Sequence, residues 1–561
     1  MKNREQVIDQ IAEHEFDVCV IGGGATGSGC ALESQLRGLN TVMVEAADFA
    51  SGSSTASTKM VHGGVRYLQE AVTDLDVNQY HLVESALQER ALMLHNAPHL
   101  TRMVEYLVPC FSHFDKFYYG LGMKMYDWIS GKSSLFPSRL LTRQEALYRM
   151  PAMQSNNLAG AVSYADGQFD DGRYCLALVD TFDGLGGAAL NYARVTALEK
   201  NPEGKIVAAV VTDQVSNRTF KIVARAFVNA TGPFSDVVRN LASAEAGSRM
   251  RPSKGVHIMF PLDGFSENDA LLVPRTEDGR VIFAVPWNGR LLVGTTDTGY
   301  KPGEEMVVTR EEIDFLLRQL NPYLNSPLRA DQVVSGIAGV RPLVAAKGVT
   351  ETKKLIRDDE VEFDEKSGLI SILGGKWTTH RLMGQETIDK VQESLGEAVM
   401  PSPTTDYLLS GSTDYKPDYW QRLADELKVS VATAKHLAHK YGTRAPEVLG
   451  LVDSDPSLAL PLVEGEAPIR AQVVYAVRHE MALTIEDVLA RRIGLQLFGW
   501  RLAIEAAPTV AALLRGELGW SQEQEASALD EYVAKVNYLL TTAGLPRMVL
   551  PFTRDLVMER S

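Results

Sequence analysis

The chain has 561 residues, 45% of them hydrophobic and 23% charged, with a formal net charge of −15 at pH 7. That length exceeds what one core serves, so two or three domains are expected. The negative charge argues against nucleic acid as a partner and requires a local basic cluster wherever an anion binds.

Cys19, Cys30, Cys110 and Cys175 form no Cys-x-x-Cys pair, and two of them lie in the nucleotide fold, where they read as small core residues; this suits a reducing compartment. With no cysteine after Cys175, the C-terminal half cannot carry a cysteine-ligated iron–sulfur centre, and no metal site is expected. Residues 1–15 are charged and amphipathic, so no secretory signal is expected. No apolar run reaches the roughly 18 residues of a membrane span.

The organising stretch is 16–45, FDVCVIGGGATGSGCALESQLRGLNTVMVE. A buried strand is predicted over 17–21, followed by Gly22, Gly24 and Gly27 in the spacing G-x-G-x-x-G, a helix, a second strand over 41–44 and the acid Glu45. Gly22 permits the tight turn, Gly24 lets a pyrophosphate approach the backbone, and Gly27 lets the helix pack closely on the sheet. The helix N-terminus directs unpaired N–H groups and about half a positive charge at the phosphates. Glu45 is placed to accept hydrogen bonds from ribose hydroxyls and would repel a 2′-phosphate. The ligand is therefore FAD or NAD rather than NADP.

The next segment is rich in Ser, Thr and Gly and turns basic and aromatic at Arg66 and Tyr67. Its small residues, Ser57 among them, with Lys59, His62, Gly63 and Gly64, are suited to follow a phosphate and an isoalloxazine edge. A long helix is expected over 75–96. Over 113–141, Phe114, Phe117, Tyr118, Tyr119, Tyr126 and Trp128 are interleaved with Lys116, Lys124, Lys132 and Arg139. This pattern suits either a bilayer interface or a helix packed on its own domain.

Strands dominate 159–297. Asp278-Gly279 and Asn288-Gly289 read as type I′ turns that divide 271–296 into three antiparallel strands of a substrate domain. The strand ending in Ala230-Thr231-Gly232 reads as a return to the nucleotide sheet, which favours FAD. Charge and glycine gather at 254–261 with His257, at 337–344 with Arg341 and then Arg357, and at 373–381. In the last, Gly374-Gly375 precedes Lys376 and a helix from Thr378. Arg341 lies in an apolar frame where an unpaired guanidinium would be costly. Pro401-Ser402-Pro403-Thr404 reads as a linker, and helices follow over 419–427, 431–441, 471–481, 485–497 and 522–540, the last opened by a Ser521/Gln524 capping box. His479 and Glu480 read as core or surface residues rather than ligands.

Taken together, IGGGATGSGCALESQLRG, STKMVHGGVRYL, GVHIMFP, GTTD (294–297), GVRP and GGKWTTHR resemble the FAD-dependent glycerol-3-phosphate dehydrogenases of the aerobic, quinone-reducing type, over essentially the whole chain. That family usually has aspartate where this chain has Glu33 and tyrosine where it has His380. The resemblance implies an α/β fold with a Rossmann-like FAD-binding domain, an antiparallel-sheet substrate domain and an all-helical C-terminal domain. The expected FAD-binding segments are 16–110, 155–250 and 335–395. The substrate domain is expected at 111–154 and 251–334, a linker at 396–410 and the helical cap at 411–561.

It further implies that glycerol 3-phosphate is bound by Arg66, Tyr67, His257, Arg341, Arg357, Lys376 and Thr378. Flavin would be held by Gly22, Gly24, Gly27, Glu45, Ser57, Lys59, His62, Gly63, Gly64, Thr231, Gly232, Gly375 and Lys376. His257 is the expected general base, unless it only orients the substrate, and Arg341 the stabiliser of the developing alkoxide and ketone oxygen. Electrons would pass to ubiquinone or menaquinone from a cytoplasmic chain attached peripherally to the inner face of the cell membrane, with 113–141 as the candidate surface. A homodimer is left open. The rival readings are a glycerol-3-phosphate oxidase that uses dioxygen, an amino-acid oxidase of similar fold, and a flavin-binding scaffold without turnover.

Overall fold

The structure is a computed structural model that describes residues 4–64, 77–133, 135–301, 303–345, 355–356, 359–427 and 429–550. Among these residues, two large sheets organise the chain. The first has eight strands, and Ala188–Leu190, Thr41–Val44, Glu15–Ile21, Thr219–Asn229 and Leu369–Leu373 run parallel in that order. Strands buried on both faces read as continuous apolar runs. Here Val18 and Val20 pack with helices Ala25–Leu36, Asp171–Gly184 and His380–Ser394 on one face. The alternating residues Cys19 and Ile21 pack with helices Arg4–Glu13 and Ser235–Ala242 on the other. The expected return strand is Thr219–Asn229, lying directly beside Glu15–Ile21.

The second sheet has ten strands among the described residues and is antiparallel except where Thr101–Cys110 runs parallel to Asp269–Val273. Thr101–Cys110, Gly160–Phe169 and Ser335–Arg341, grouped by the sequence with the nucleotide-binding segments, pair in this second sheet. The crossing occurs early. Met60–Val61 already pairs with Gln168 and Gly167, so the chain leaves the first sheet through the loop after Glu45.

The Asn288-Gly289 turn has both residues at positive φ (47° and 75°), as a type I′ turn requires. At Asp278-Gly279 only the glycine does, with φ 78°. There the Thr276 hydroxyl donates to Asp278 at 2.5 Å and to the Arg280 carbonyl at 2.9 Å, which makes a wider loop.

The C-terminal helices Tyr419–Leu427, Val431–Tyr441, Ala471–Glu480 and Gln522–Thr542 form as expected, the last with its capping box. The helix expected over 485–497 is broken instead: Asp487–Arg492 is a π-helical turn, followed by Leu495–Phe498. Ala445–Ser454 and Trp500–Leu518 are further helices that the periodicity did not reveal. Pro508, inside the second, reads locally as a stop.

The largest core joins Val256, Ile258 and Leu292 of the second sheet to Trp500, Ile504 and Val510, so the helical domain shares a core with the sheet. The 396–410 linker is docked as well. Ser402 donates to buried Glu33 at 2.9 Å, Thr404 donates to the same carboxylate, and Arg37 pairs with it at 2.7 Å. All four cysteines are free and buried. Among the described residues, no helix is long and apolar enough to cross a membrane, and no His/Cys/Asp/Glu cluster could hold a metal.

Candidate active site

The glycine turn is built by close approach. The Gly22 N–H donates to the Val44 carbonyl at 2.8 Å, and a Cβ at Gly22 would fall 2.6 Å from the Ala230 carbonyl oxygen. A Cβ at Gly27 would lie 1.8 Å from the Gly22 oxygen, so only glycine lets this helix start so near the strand. Gly24 caps the helix in extended conformation with no side-chain bond, leaving the first-turn N–H groups to the site. One of them, on Ala25, donates to Ser54 Oγ at 2.9 Å. Glu45 closes the turn from the end of the second strand, accepting from the Gly23 N–H at 2.7 Å and the Ala47 N–H at 2.8 Å. Burial raises its carboxyl above the ordinary range. Thr231 and left-handed Gly232 border the same turn, with the Thr231 hydroxyl bonded to Asn229 at 2.7 Å. A glycine cradle, an open helix N-terminus and an acid at the strand end fit the ADP half of FAD.

Loop 46–64 lies between this turn and the second sheet. Ser53 Oγ donates to the Val340 carbonyl at 2.5 Å, and Trp377 Nε1 donates to the Ser54 carbonyl at 2.9 Å. Ser57 and Lys59, expected to follow a phosphate, are committed elsewhere. Both hydrogen-bond Asp171, and the Lys59 ammonium also donates to the Thr55 carbonyl at 2.8 Å. A buried ammonium needs such a counter-ion, so these residues shape the loop. His62 is held down to about 4 by burial and by nearby Lys376 and Arg90, and its Nδ1 accepts from the Gly64 N–H at 3.0 Å. The Gly63 N–H donates to the Tyr126 hydroxyl at 2.9 Å.

His257 and Arg341 stand on neighbouring antiparallel strands, Ser253–Pro261 and Ser335–Arg341. Two glycines provide their space: a Cβ at Gly255 would lie 2.5 Å from Arg341 Nη2, and one at Gly294 would lie 2.1 Å from the His257 ring. Arg341 donates to Thr295 Oγ1 at 2.7 Å and to the Thr296 carbonyl at 2.8 Å, with Asp297 at 3.3 Å. The GTTD motif therefore aims the guanidinium. His257 Nε2 shares a hydrogen bond with Thr58 Oγ1 at 2.9 Å, while its buried Nδ1 has no hydrogen-bond partner among the described residues. Burial, then Arg341 and Lys59, push the imidazole down to about 3, so it is neutral.

Gly374 and Gly375, at φ 80° and 90°, turn the chain so that Lys376 precedes the short helix Trp377–Thr379, where Thr378 is buried. His380 Nδ1 donates to the Trp377 carbonyl at 3.0 Å, and the ring packs edge-on against Trp377 and Tyr174. Arg66, Tyr67 and Arg357 lie outside the described residues. Ser54, Thr58, Asp171 and Trp377 escaped the sequence reading as individual contacts. The only hint was that the first three sit in or against a hydroxyl-rich loop.

This fold and cradle define an FAD-dependent oxidoreductase: residues 17–389 match the family of that description, and 402–525 match the C-terminal domain of alpha-glycerophosphate oxidase. The glycerol-3-phosphate dehydrogenase of Bacillus halodurans, solved in complex with FAD, is 30% identical, with a TM-score of 0.78 over 96% of this chain and 97% of its own. The mitochondrial glycerol-3-phosphate dehydrogenases of Homo sapiens and Arabidopsis thaliana are 38% and 36% identical, covering 92% and 94% of this chain and 72% and 86% of their own lengths. The chain belongs to the FAD-dependent glycerol-3-phosphate dehydrogenase family, and FAD is its cofactor.

Proposed function

We propose that the protein oxidises sn-glycerol 3-phosphate to dihydroxyacetone phosphate and passes the electrons to a membrane quinone, ubiquinone or menaquinone. The observation that carries the substrate reading is the placement of His257 and Arg341 on adjacent strands, their space provided by Gly255 and Gly294, with His257 hydrogen-bonded to Thr58 of the loop beside the glycine turn. Bound FAD supplies the two-electron oxidant. The protein must hold a dianion, remove the hydroxyl proton and stabilise the carbonyl oxygen that forms.

Arg341, aimed by Thr295 and Thr296, supplies charge-assisted bonds to oxygen. Arg66, Tyr67, Arg357, Lys376 and Thr378 complete the substrate pocket in this reading. His257 is neutral and therefore able to accept a proton, and in the tautomer whose Nε2–H donates to Thr58 Oγ1, Nδ1 is the acceptor position. A bound dianion opposes the field of Arg341 and Lys59 and raises the basicity of the ring.

The quinone reading is supported by the helix His113–Ser130. Its inner face buries Met123 and Tyr126, yet Phe114, Phe117, Tyr118, Leu121 and Trp128 are exposed along the outer side, Trp128 by 75%. An apolar stripe flanked by Lys124 suits a bilayer interface and gives the chain a surface on which to meet a lipid-soluble acceptor. In this reading the protein rests on the inner face of the cell membrane.

Anaerobic addition of substrate, followed by acceptor, tests both halves. Glycerol 3-phosphate, but not glycerol or an amino acid, is expected to bleach the flavin band. Quinone should restore it quickly and air slowly. No bleaching of flavin-loaded protein would reject the substrate, and rapid return in air with peroxide would reject the quinone acceptor in favour of an oxidase.

A further inference from the structure

The cofactor loop is tied to buried cations of the C-terminal domain, directly at its start and through the Asp170–Asp171 pair at its later part. At its start, Asp48 lies three residues beyond Glu45 and is 1% exposed. Its carboxylate accepts from Arg491 Nε at 2.5 Å and from Arg492 Nη2 at 2.8 Å, with a further bond from Arg492 Nη1. Both arginines sit on the π-helical turn Asp487–Arg492. Asn191 adds a bond to Asp48 at 3.0 Å, but among the described residues its ion partners all come from the C-terminal domain.

The later part of the loop is held by Asp171, which bonds Ser57 and Lys59. Its neighbour Asp170 pairs with Lys440 of helix Val431–Tyr441 at 2.6 Å. One residue joins the two grips: Glu480 pairs through its carboxylate with Arg173 at 2.7 Å and through its carbonyl with Arg492 at 2.6 Å.

None of these cations belongs to the flavin machinery described above. Their placement has a physical consequence, because a loop loses conformational entropy when it is ordered, and buried ion pairs can fix one arrangement of it. We propose that Arg491, Arg492 and Lys440 are positioning residues for flavin: the C-terminal domain fixes Asp48 and Asp170, and through them the loop that completes the cofactor site. Flavin affinity therefore depends on cations that do not touch flavin. This rests on the assignment of 46–64 as a cofactor loop.

The test measures FAD binding to the full-length apoprotein by flavin fluorescence, together with the melting temperature with and without FAD. Arg492→Met should weaken FAD binding at least about tenfold and shrink the FAD-induced rise in melting temperature, because that rise follows the ratio of ligand concentration to Kd. A purely structural role would lower both melting temperatures equally and leave Kd within about twofold of the parent; that result overturns the proposal. If Arg492→Met does not fold, Arg492→Lys decides. It keeps the charge but gives up the two-oxygen grip on Asp48, so it should weaken FAD binding several-fold, and a parental Kd overturns the proposal. Ser54→Leu drives a side chain towards Gly24 without touching the clamp. If it leaves Kd unchanged, the cofactor-loop assignment fails and the proposal with it. If it weakens binding while Arg492→Met does not, only the clamp fails.

Discussion

Replacing Gly27 by alanine probes the closest approach in the cofactor cradle. The added Cβ would sit 1.8 Å from the Gly22 carbonyl oxygen, whereas real Cβ contacts do not fall below 3.0 Å, so helix and strand must separate by at least 1.2 Å. Both partners are backbone, and no rotamer change can relieve the clash. Overpacking of this kind costs about 1–3 kcal/mol. In the proposed cradle the displaced group is the helix N-terminus that would face the pyrophosphate, so the cost should appear in flavin binding as a roughly 5- to 150-fold rise in Kd.

Titration of the apoprotein with FAD, followed by flavin fluorescence, measures it. Gly516→Ala is the control: a Cβ there meets nothing within 4 Å and the residue lies inside helix Trp500–Leu518, so its Kd should match the parent. A Gly27→Ala protein that binds FAD within about twofold of the parent would refute the argument that this contact sets the geometry of the cradle.

Arg341→Ala should retain flavin while losing two charge-assisted bonds to substrate, worth about 1.5–3 kcal/mol each, so kcat/KM should fall roughly 10²- to 10⁴-fold; near-normal single-turnover reduction would remove Arg341 from the pocket. Stability should fall as the medium is acidified from neutrality. Burial holds His62, His380 and His439 down to about 4 and His99, His257 and His436 down to about 3. The unfolded chain takes up these protons below about pH 6.5 while the folded chain does not, so the stabilisation is complete above that pH and declines below it, by up to about 1.4 kcal/mol per pH unit for each histidine. Urea midpoints that stay flat between about pH 7.5 and 5.5 would contradict it. Exchanging exposed Phe117 and Trp128 together for aspartate should lower partitioning onto anionic vesicles by at least about 100-fold, at roughly 1.5–3 kcal/mol for each aromatic withdrawn from the interface, while turnover with a soluble acceptor persists; cosedimentation at the parental level would reject this face.

The geometry of the glycine turn was legible because its constraints are local. Gly22, Gly24, Gly27 and Glu45 fall within one βαβ unit, where spacing along the chain translates directly into position. Likewise, Ser521 and Gln524 marked a helix start from four consecutive residues. What escaped depended on partners far away in sequence. Lys59 looked like a phosphate ligand until Asp171, 112 residues later, was found to own its charge. Thr101–Cys110 looked like part of the nucleotide domain because nothing within it states that its partner is Gly160–Phe169. The break at Asp487–Arg492 was hidden for a related reason. Its two arginines are drawn inward by Asp48, a tertiary attraction that periodicity cannot express.

The four thiols also make this protein its own stopwatch. Cys19 lies in the first sheet, Cys30 in the helix after the glycine turn, Cys110 in the second sheet and Cys175 in the helix beside the cofactor loop, all buried. Burial drives each up to about 12, so none presents thiolate at neutral pH while the chain is closed. Alkylation at any one of them therefore records the opening of the layer that contains it. Reading the four sites separately by peptide mass would time the layers one against another, with no label added to the native chain.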